Sequence, residues 1–357
     1  MRACESTSMP EAAEKILIVG PSWVGDMVMS QVLYIYLQQC RPGVLIDVLA
    51  PAWSGPILAR MPQVNRALSM PLGHGELGLG RRRRLGKELR AERYDQAIVL
   101  PNSLKSALVP FFARIPRRTG WRGEMRYGLL NDLRVLDNMA LPLMVQRFVA
   151  LAMDPGMAVP ERLPEPRLVV DPRAAEQCRS KVGLLTGLPI LALCPGAEFG
   201  AAKRWPPEYY AELARDYLAE GWQIALYGST NDHEVCAQIR RGSGEHQHCH
   251  NLAGRTSLAE AVDLLSLSTA VISNDSGLMH IAAALQCPLL AIYGATSPDF
   301  TPPLSSASAL LVSDIDCAPC FQRECPLQHH RCMRDMPPQL AAAKLQALLA
   351  AVDEDRL

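Results

Sequence analysis

The sequence predicts an α/β protein in which two doubly wound parallel sheets face each other across a cleft. Short runs of aliphatic and β-branched residues alternate with longer helix-like stretches, which is the pattern of strands joined by crossover helices. The alternation occurs twice, before residue 155 and after residue 172. Residues 155–172 carry five prolines and few helix signals, which indicates a linker between two domains.

Composition limits the class of protein. The 357 residues suffice for two domains, and 49% hydrophobic with 20% charged residues is typical of globular chains. Because 36 basic residues balance 36 acidic ones, nothing indicates a nucleic-acid partner. No apolar run approaches the ~20 residues that span a bilayer, and residues 1–14 are too polar for a signal peptide. We expect a cytoplasmic protein with a disordered extension at residues 1–14, whose 11 cysteines are thiols or metal ligands.

The first strand-to-helix turn places an acid at the start of a helix. Residues 15–20 are an apolar strand, residues 27–37 are a helix, and Asp26 stands between them. The dinucleotide pattern G-x-G-x-x-G is absent, and a P-loop would need lysine where Asp26 stands. Asp26 is therefore interpreted as a base aimed into the cleft or as a helix acid favoured by the dipole.

The rest of the first half continues the alternation, with strands predicted at residues 45–50, 67–71 and 96–101. A helix at residues 80–92 contains four consecutive arginines, interpreted as a solvated face or as a patch that attracts anionic lipids. Residues 117–128 are predicted to be a loop in which basic and aromatic side chains alternate. That loop is either a site for an anionic, sugar-like ligand or an ordinary surface loop.

The second half repeats the pattern, with strands predicted at residues 190–193, 223–227, 270–273, 289–293 and 309–312 and a final helix at residues 338–352. Ligands of open α/β sheets bind beyond the carboxyl ends of the strands, so turns from both halves should line one cleft. In the turn at residues 274–280, Asp275 or Ser276 can cap a helix while Gly277 leaves its first N–H groups accessible. This turn is an anion site or simply a capped helix with a packed histidine.

Four cysteines follow the last predicted strand, in the spacing C-x2-C-x4-C-x6-C: Cys317, Cys320, Cys325 and Cys332. Thiolates at this spacing can converge on zinc or on an iron–sulfur cluster. Only the first pair matches a standard site, however, and the alternative is that reduced thiols pack a loop.

Several motifs in a fixed order resemble glycosyltransferase family nine, the bacterial lipopolysaccharide heptosyltransferases. They are ILIVGPSWVGDM at 16–27, PNS at 101–103 with Lys105, WRGEMRYG at 121–128, CPGA at 194–197, KRWP at 203–206, and NDSG at 274–277 with His280. The resemblance runs from residue 15 to the end and implies a GT-B fold, two Rossmann-like domains facing across a cleft. Residues 15–165 would then bind the acceptor, and residues 166–357 would bind ADP-heptose.

The resemblance also implies a reaction: inverting, metal-independent transfer of L-glycero-D-manno-heptose from ADP-heptose to the first heptose of the inner core, on heptosyl-Kdo2-lipid A. No cofactor is expected. The acceptor is lipid-anchored, so the protein is expected to act at the cytoplasmic face of the inner membrane and to contact it peripherally. The runner-up functions are a nucleotide-sugar epimerase, a GT-B enzyme for another sugar, such as heptosyltransferase I, and a catalytically silent binding protein. The oligomeric state is left open.

Residue roles follow from the same resemblance. Asp26 matches the proposed base, which an inverting displacement needs to take the acceptor proton. The donor would be bound by the lysine near the phosphates, the strand-end turns and the helix N-terminus: Lys203, Gly228, Ser229, Asp232, Asp275, Ser276, Gly277 and His280. Charge alone selects candidates for the anionic acceptor: Lys105, Arg118, Arg122 and Arg126.

Overall fold

A computed structural model describes residues 13–73 and 75–354. The disordered extension predicted at residues 1–14 lies outside the described residues except for Ala13 and Glu14. No helix in the described ranges is both long and apolar enough to cross a bilayer.

The first sheet has six parallel strands in the order β3-β2-β1-β4-β5-β6. They are β1 (Lys15–Val19), β2 (Leu45–Pro51), β3 (Val64–Met70), β4 (Gln96–Val99), β5 (Arg117–Trp121) and β6 (Asp132–Arg134). The helices of this half are α1 (Val24–Cys40), α2 (Gly55–Leu58), α3 (Leu79–Leu89), α4 (Leu108–Phe112) and α5 (Met144–Ala150).

The second sheet is also six-stranded and parallel, in the order β12-β11-β10-β7-β8-β9. Its strands are β7 (Ile190–Cys194), β8 (Gln223–Leu226), β9 (Cys249–Asn251), β10 (Ala270–Asn274), β11 (Leu289–Tyr293) and β12 (Ser308–Val312). The helices are α6 (Pro172–Val182), α7 (Pro207–Ala219), α8 (His233–Gly242), α9 (Leu258–Leu265), α10 (Gly277–Ala284), α11 (Arg331–Arg334) and α12 (Pro338–Glu354). The predicted α/β, GT-B-like architecture of two doubly wound sheets is confirmed.

Each sheet has a point where the strand order reverses, and a helix begins there. In the first sheet the reversal lies between β1 and β4, and α1 follows β1. In the second it lies between β7 and β10, and α10 follows β10. Such switch points leave a crevice at the carboxyl edge of a parallel sheet. The fold therefore presents α1 and α10 at its two crevices.

Both faces of the first sheet are covered, because successive side chains of a strand point to opposite sides. Ile16 and Ile18 join an apolar cluster that contains the buried residues of α1. Leu17 points the other way and packs with Leu85 and Leu89 of α3. Thus α1 and α3 lie on opposite faces of this sheet.

The sequence prediction missed three strands, namely β5, β6 and β9. Residues 117–128 were predicted to be a loop throughout, yet the first five residues, Arg-Arg-Thr-Gly-Trp, form β5 beside β4. This segment lacks the aliphatic run that marks a buried strand. Its Gly120 instead permits close packing, since a Cβ there would lie 2.9 Å from Leu130 Cδ1.

The predicted linker has no helix or strand between residues 155 and 171. It is nevertheless hydrogen-bonded to both halves. The Gln31 side chain donates to the Arg167 carbonyl at 2.7 Å, and the Leu168 N–H donates to the Ala284 carbonyl at 3.1 Å. The domain boundary at residues 165/166 stays a prediction.

Candidate active site

The two helices at the switch points begin against each other. A Cβ on Gly277, the first residue of α10, would lie 2.7 Å from Val24 Cβ at the start of α1. A Cβ on Gly25 would lie 2.6 Å from Cδ2 of His280. Real Cβ atoms do not approach so closely, so each helix needs glycine at this crossing. The close approach brings polar residues of both halves into one site.

Asp26 stands in the first turn of α1, partly exposed. Burial, which disfavours a carboxylate, raises its pKa to about 6; the Lys203 ammonium opposes this shift and the Asp275 carboxylate adds to it. Lys203 and Asp275 belong to the second half, so the site spans both sheets. A carboxyl group with a pKa near neutrality is suited to accept a proton.

Lys203 and Asp275 form a buried ion pair. Lys203 Nζ donates to Asp275 Oδ2 at 2.6 Å, and the two side chains are 13% and 5% exposed. The Thr296 hydroxyl donates to the same carboxylate oxygen at 2.6 Å. Nζ also lies 4.9 Å from the centroid of the Phe199 ring. These contacts hold one positive and one negative charge at fixed positions beside the N-terminus of α10.

Asn274 fixes this turn to the rest of its sheet. Its side-chain oxygen accepts from the Tyr210 hydroxyl at 2.9 Å and from the Trp205 N–H at 3.2 Å. Its amide donates to the Pro195 carbonyl at 2.7 Å. Because Asn274 is fully buried, these bonds define where the turn lies.

The expected side-chain cap of α10 is not formed. Ser276 occupies the N-cap position, but neither it nor Asp275 accepts from the first N–H groups of the helix. The carboxylate is engaged by Lys203 and Thr296, and the Ser276 Oγ lies 3.3 Å from the Ser273 Oγ. The positive end of the helix dipole therefore carries no side-chain cap, which suits an incoming anion.

His280 is buried on α10, one turn after Ser276. Burial lowers its pKa to about 4; Asp275 opposes the shift and Lys203 adds to it. The imidazole is thus neutral near pH ~7. It can donate or accept a hydrogen bond, but it brings no positive charge to a phosphate.

Comparison with known proteins shows the family to which this chain belongs. A family model described as "Glycosyltransferase family 9 (heptosyltransferase)" matches residues 82–331. Lipopolysaccharide heptosyltransferase 2 of Escherichia coli (strain K12) is 52% identical, covering 94% of this chain and 98% of that protein. The chain belongs to glycosyltransferase family 9. The resemblance seen in the motifs is confirmed.

Other known proteins are similar to this chain. Lipooligosaccharide heptosyltransferase 2 of Haemophilus influenzae (strain ATCC 51907 / DSM 11121 / KW20 / Rd) is 50% identical, covering 94% of this chain and 99% of that protein. The solved structure of E. coli ADP-heptose LPS heptosyltransferase II matches with a TM-score of 0.86 and 49% identity, covering 95% of this chain and 99% of that chain. E. coli heptosyltransferase WaaC with ADP shares the fold, with a TM-score of 0.68 at 19% identity over 94% and 99% of the two chains.

The turn after β8 holds three further donor candidates in an internal arrangement. Asp232 Oδ2 accepts from the Ser229 N–H at 2.9 Å and from its hydroxyl at 2.8 Å. Arg204 Nη2 lies 3.7 Å from the other carboxylate oxygen. A Cβ on Gly228 would lie 2.5 Å from Asp232 Cβ. The Asp232 carboxylate thus holds the turn together through Ser229. That Gly228, Ser229 and Asp232 contact a nucleotide stays a prediction.

Two of the four acceptor candidates lie at the carboxyl edge of the first sheet. Lys105 is in a short 3-10 helix after β4, and Arg122 directly follows β5. Neither side chain makes a hydrogen bond or ion pair within the described ranges. Arg122 is exposed and Lys105 is partly exposed. Both cations remain available to a ligand.

The other two acceptor candidates differ from that expectation. Arg126 is 1% exposed, and its guanidinium donates to the Pro101 carbonyl at 2.6 Å and to the Trp121 carbonyl, so it braces the loop. Arg118 lies near the amino end of β5, where it donates to the carbonyls of Leu129 and Ile115. Because the cleft is at the carboxyl edge, we do not retain Arg118 as an acceptor contact.

Reasoning from sequence assigned no role to Thr296, Phe199 or the side chain of Asn274. Thr296 lies three residues after β11, and no local pattern in the sequence indicates its bond to Asp275. Within the described ranges, no group of three or more His, Cys, Asp or Glu side chains is arranged to hold a metal ion. Cys317, Cys320, Cys325 and Cys332 are free thiols in the structure.

Proposed function

We propose that this family-9 enzyme transfers L-glycero-D-manno-heptose from ADP-heptose to the first heptose of the lipopolysaccharide inner core, with inversion at the anomeric carbon and without a metal. The observation that carries the proposal is the approach of Asp26 to the Lys203–Asp275 pair across the two halves. Relatives of 50–52% identity over nearly the whole chain are heptosyltransferases 2. These relatives favour this reaction over an epimerase or a different sugar.

The reaction requires one proton acceptor and one site for developing negative charge. The acceptor hydroxyl oxygen attacks the anomeric carbon of the heptose, and its proton passes to the Asp26 carboxylate. The bond from that carbon to the diphosphate oxygen breaks, and its electron pair leaves with ADP. Lys203 and the N–H groups at the start of α10 stabilise the diphosphate. Asp275 holds Lys203 in place and can accept a hydrogen bond from a heptose hydroxyl.

The remaining donor and acceptor assignments are part of the same proposal. Gly228, Ser229 and Asp232 lie on the nucleotide side, and neutral His280 hydrogen-bonds the donor. Lys105 and Arg122 bind anionic groups of the lipid-anchored acceptor, on a loop braced by Arg126. We place the reaction in the cytoplasm at the inner membrane surface. The ten cysteines in the described ranges are free, which agrees with a reducing compartment.

The test is ADP release from ADP-heptose with heptosyl-Kdo2-lipid A as acceptor. Asp26→Asn should lower kcat by about 10²- to 10⁴-fold, the usual contribution of a general base. Asp216→Asn, on the exposed face of α7, is the matched control and should leave kcat unchanged. Turnover of Asp26→Asn at the wild-type rate would remove Asp26 as the base. If the wild type released ADP with another acceptor but not with heptosyl-Kdo2-lipid A, the acceptor assignment would be overturned.

A further inference from the structure

The first half carries a second basic site, away from the cleft. A surface pocket of about 470 Å³ lies between α3 and the segment after α4. Five cationic and two aromatic residues contribute to its wall: Arg83, Lys87, Arg90, Arg114, Arg118, Phe111 and Phe112. No Asp or Glu is among the residues that line it. Several like charges that face one pocket create a local field that attracts anions.

The positive charges of this basic pocket are not neutralised by nearby carboxylates. Arg90 Nε donates to the Phe112 carbonyl at 2.8 Å, and Arg118 Nε donates to the Leu129 carbonyl at 2.7 Å. Main-chain oxygens therefore position these two guanidiniums without cancelling their charge. The side chains of the other three cations make no hydrogen bond or ion pair within the described ranges: Arg83, Lys87 and Arg114. They remain available to a ligand.

The structure separates this pocket from the rest of the arginine run at residues 81–84. Arg82 is buried, and its Nε donates to the Leu77 carbonyl at 2.7 Å. Arg81 pairs with Glu76 at 2.9 Å. The pocket is also distinct from the cleft, because α3 covers the sheet face opposite α1 and Arg118 lies at the amino end of β5.

Exposed apolar side chains accompany the cations. Leu79 is 50% exposed and lies four residues before Arg83, hence on the same face of α3. Lys87 follows four residues later on that face. Phe111, which is 40% exposed, has its ring centroid 5.8 Å from Arg118 Cζ. A free phosphate ion needs no apolar rim, whereas a bilayer surface offers phosphates directly above hydrocarbon.

We propose that this surface docks on the headgroups of anionic phospholipids, with Arg83, Lys87 and Arg114 contacting lipid phosphates and Leu79 and Phe111 entering the interface. The proposal rests on the proposed function, since a lipid-anchored acceptor brings the enzyme to a bilayer. It deepens that function by naming the docking surface. It also assigns Arg118 to this surface, where it shapes the pocket.

The test is co-sedimentation of the full chain with vesicles of phosphatidylcholine, alone or with about 30% phosphatidylglycerol. The wild type should bind the anionic vesicles only, and less at high salt. The variant Arg83→Gln/Lys87→Gln/Arg114→Gln should lose on the order of 100-fold in partitioning, at about fivefold per charge. The control Arg162→Gln/Arg173→Gln/Arg215→Gln removes three exposed cations elsewhere and should bind like the wild type.

Equal binding of the pocket variant and the wild type to anionic vesicles would overturn the proposal, as would wild-type binding that ignores phosphatidylglycerol. A parallel thermal-shift series with inorganic phosphate separates the sources. Stabilisation of the wild type alone by phosphate, without vesicle binding, would assign the pocket to a soluble anion and also overturn the lipid assignment. The wild type and the pocket variant should release ADP at the same rate when the acceptor is deacylated. Absence of ADP release in the wild type would count against the proposed function and not against docking.

Discussion

The two halves of the cleft hold their charged groups in different ways. In the second half Asp275 is paired with Lys203 and bonded to Thr296, and Asn274 ties the turn to its sheet. In the first half the Asp26 carboxylate accepts no hydrogen bond from any described residue. The second half of the cleft, which we propose to be the donor side, is thus organised by internal bonds before a ligand binds. The first half, the proposed acceptor side, keeps the Asp26 carboxylate without such bonds, at a cost in stability.

Removing one partner of the buried pair should give the largest loss of stability. Asp275→Asn leaves the Lys203 ammonium buried without its carboxylate, so the free energy of unfolding should fall by about 3 kcal/mol. Lys203→Met/Asp275→Asn removes both charges and should recover most of that loss. Urea denaturation measures both, with Asp216→Asn as the control. A loss below about 1 kcal/mol for the single variant would show that the pair does not organise the donor side.

Asp26→Asn should have the opposite sign. The native carboxyl has a pKa of about 6, above its unfolded value, so the native state binds the proton more tightly. Wild-type stability therefore falls as pH rises from ~4 to ~6, and the penalty persists above that range. At pH ~8 the asparagine variant should be more stable by about 3 kcal/mol, and at pH ~3.5 the difference should vanish. Denaturation at both pH values measures this. If the variant were less stable than the wild type at pH ~8, the Asp26 carboxylate could not be a destabilising, unpartnered charge.

The same carboxyl predicts the pH dependence of catalysis. Wild-type kcat/KM should fall about tenfold per pH unit below the pKa of about 6, because only the ionised form accepts a proton. The residual activity of Asp26→Asn should lack this limb.

The crossing of α1 and α10 should respond to a single methyl group. Gly25→Ala places a Cβ against the His280 ring and should cost about 1–3 kcal/mol and lower kcat. Adding His280→Ala should recover part of the stability, because the clashing ring is gone. Gly80→Ala, where the new Cβ meets nothing within 4 Å, is the helical control. Thermal melts of the three variants measure these changes in stability. If Gly25→Ala left the melting temperature unchanged, α1 and α10 could move apart without cost.

The smallest effect on stability is expected for the exposed cation of the acceptor side. Arg122→Gln should change the free energy of unfolding by no more than about 0.5 kcal/mol, since the side chain has no protein partner within the described ranges. The KM for the acceptor should rise severalfold while the KM for ADP-heptose stays constant. Arg118→Gln, assayed with the deacylated acceptor, should leave both constants unchanged. If Arg122→Gln and Arg118→Gln raised the acceptor KM equally, Arg118 would be an acceptor contact after all.

Most strands and the order of the site motifs were predictable because local patterns mark them. The strand at residues 270–274 is buried and begins with an aliphatic run, and a glycine follows it where a helix must start close to another backbone. β5 escaped prediction because Arg-Arg-Thr-Gly-Trp becomes a strand only through pairing with β4. The roles of Arg118 and Arg126 escaped because charge in a sequence does not tell whether a guanidinium faces a ligand or a carbonyl oxygen.

By itself, the sequence determined the two doubly wound halves, the family and the presence of an acid, Asp26, in the first strand-to-helix turn. Hydrophobic periodicity and turn residues act over a few positions, so they can be read along the chain. Only the tertiary structure decided that Asp26 has no partner among the described residues while Asp275 is bound by Lys203, that α10 lacks a side-chain cap, and that five cations line a pocket away from the cleft. Those outcomes depend on distances between residues far apart in sequence. Burial and pairing, which set both pKa and availability, are properties of the packed molecule.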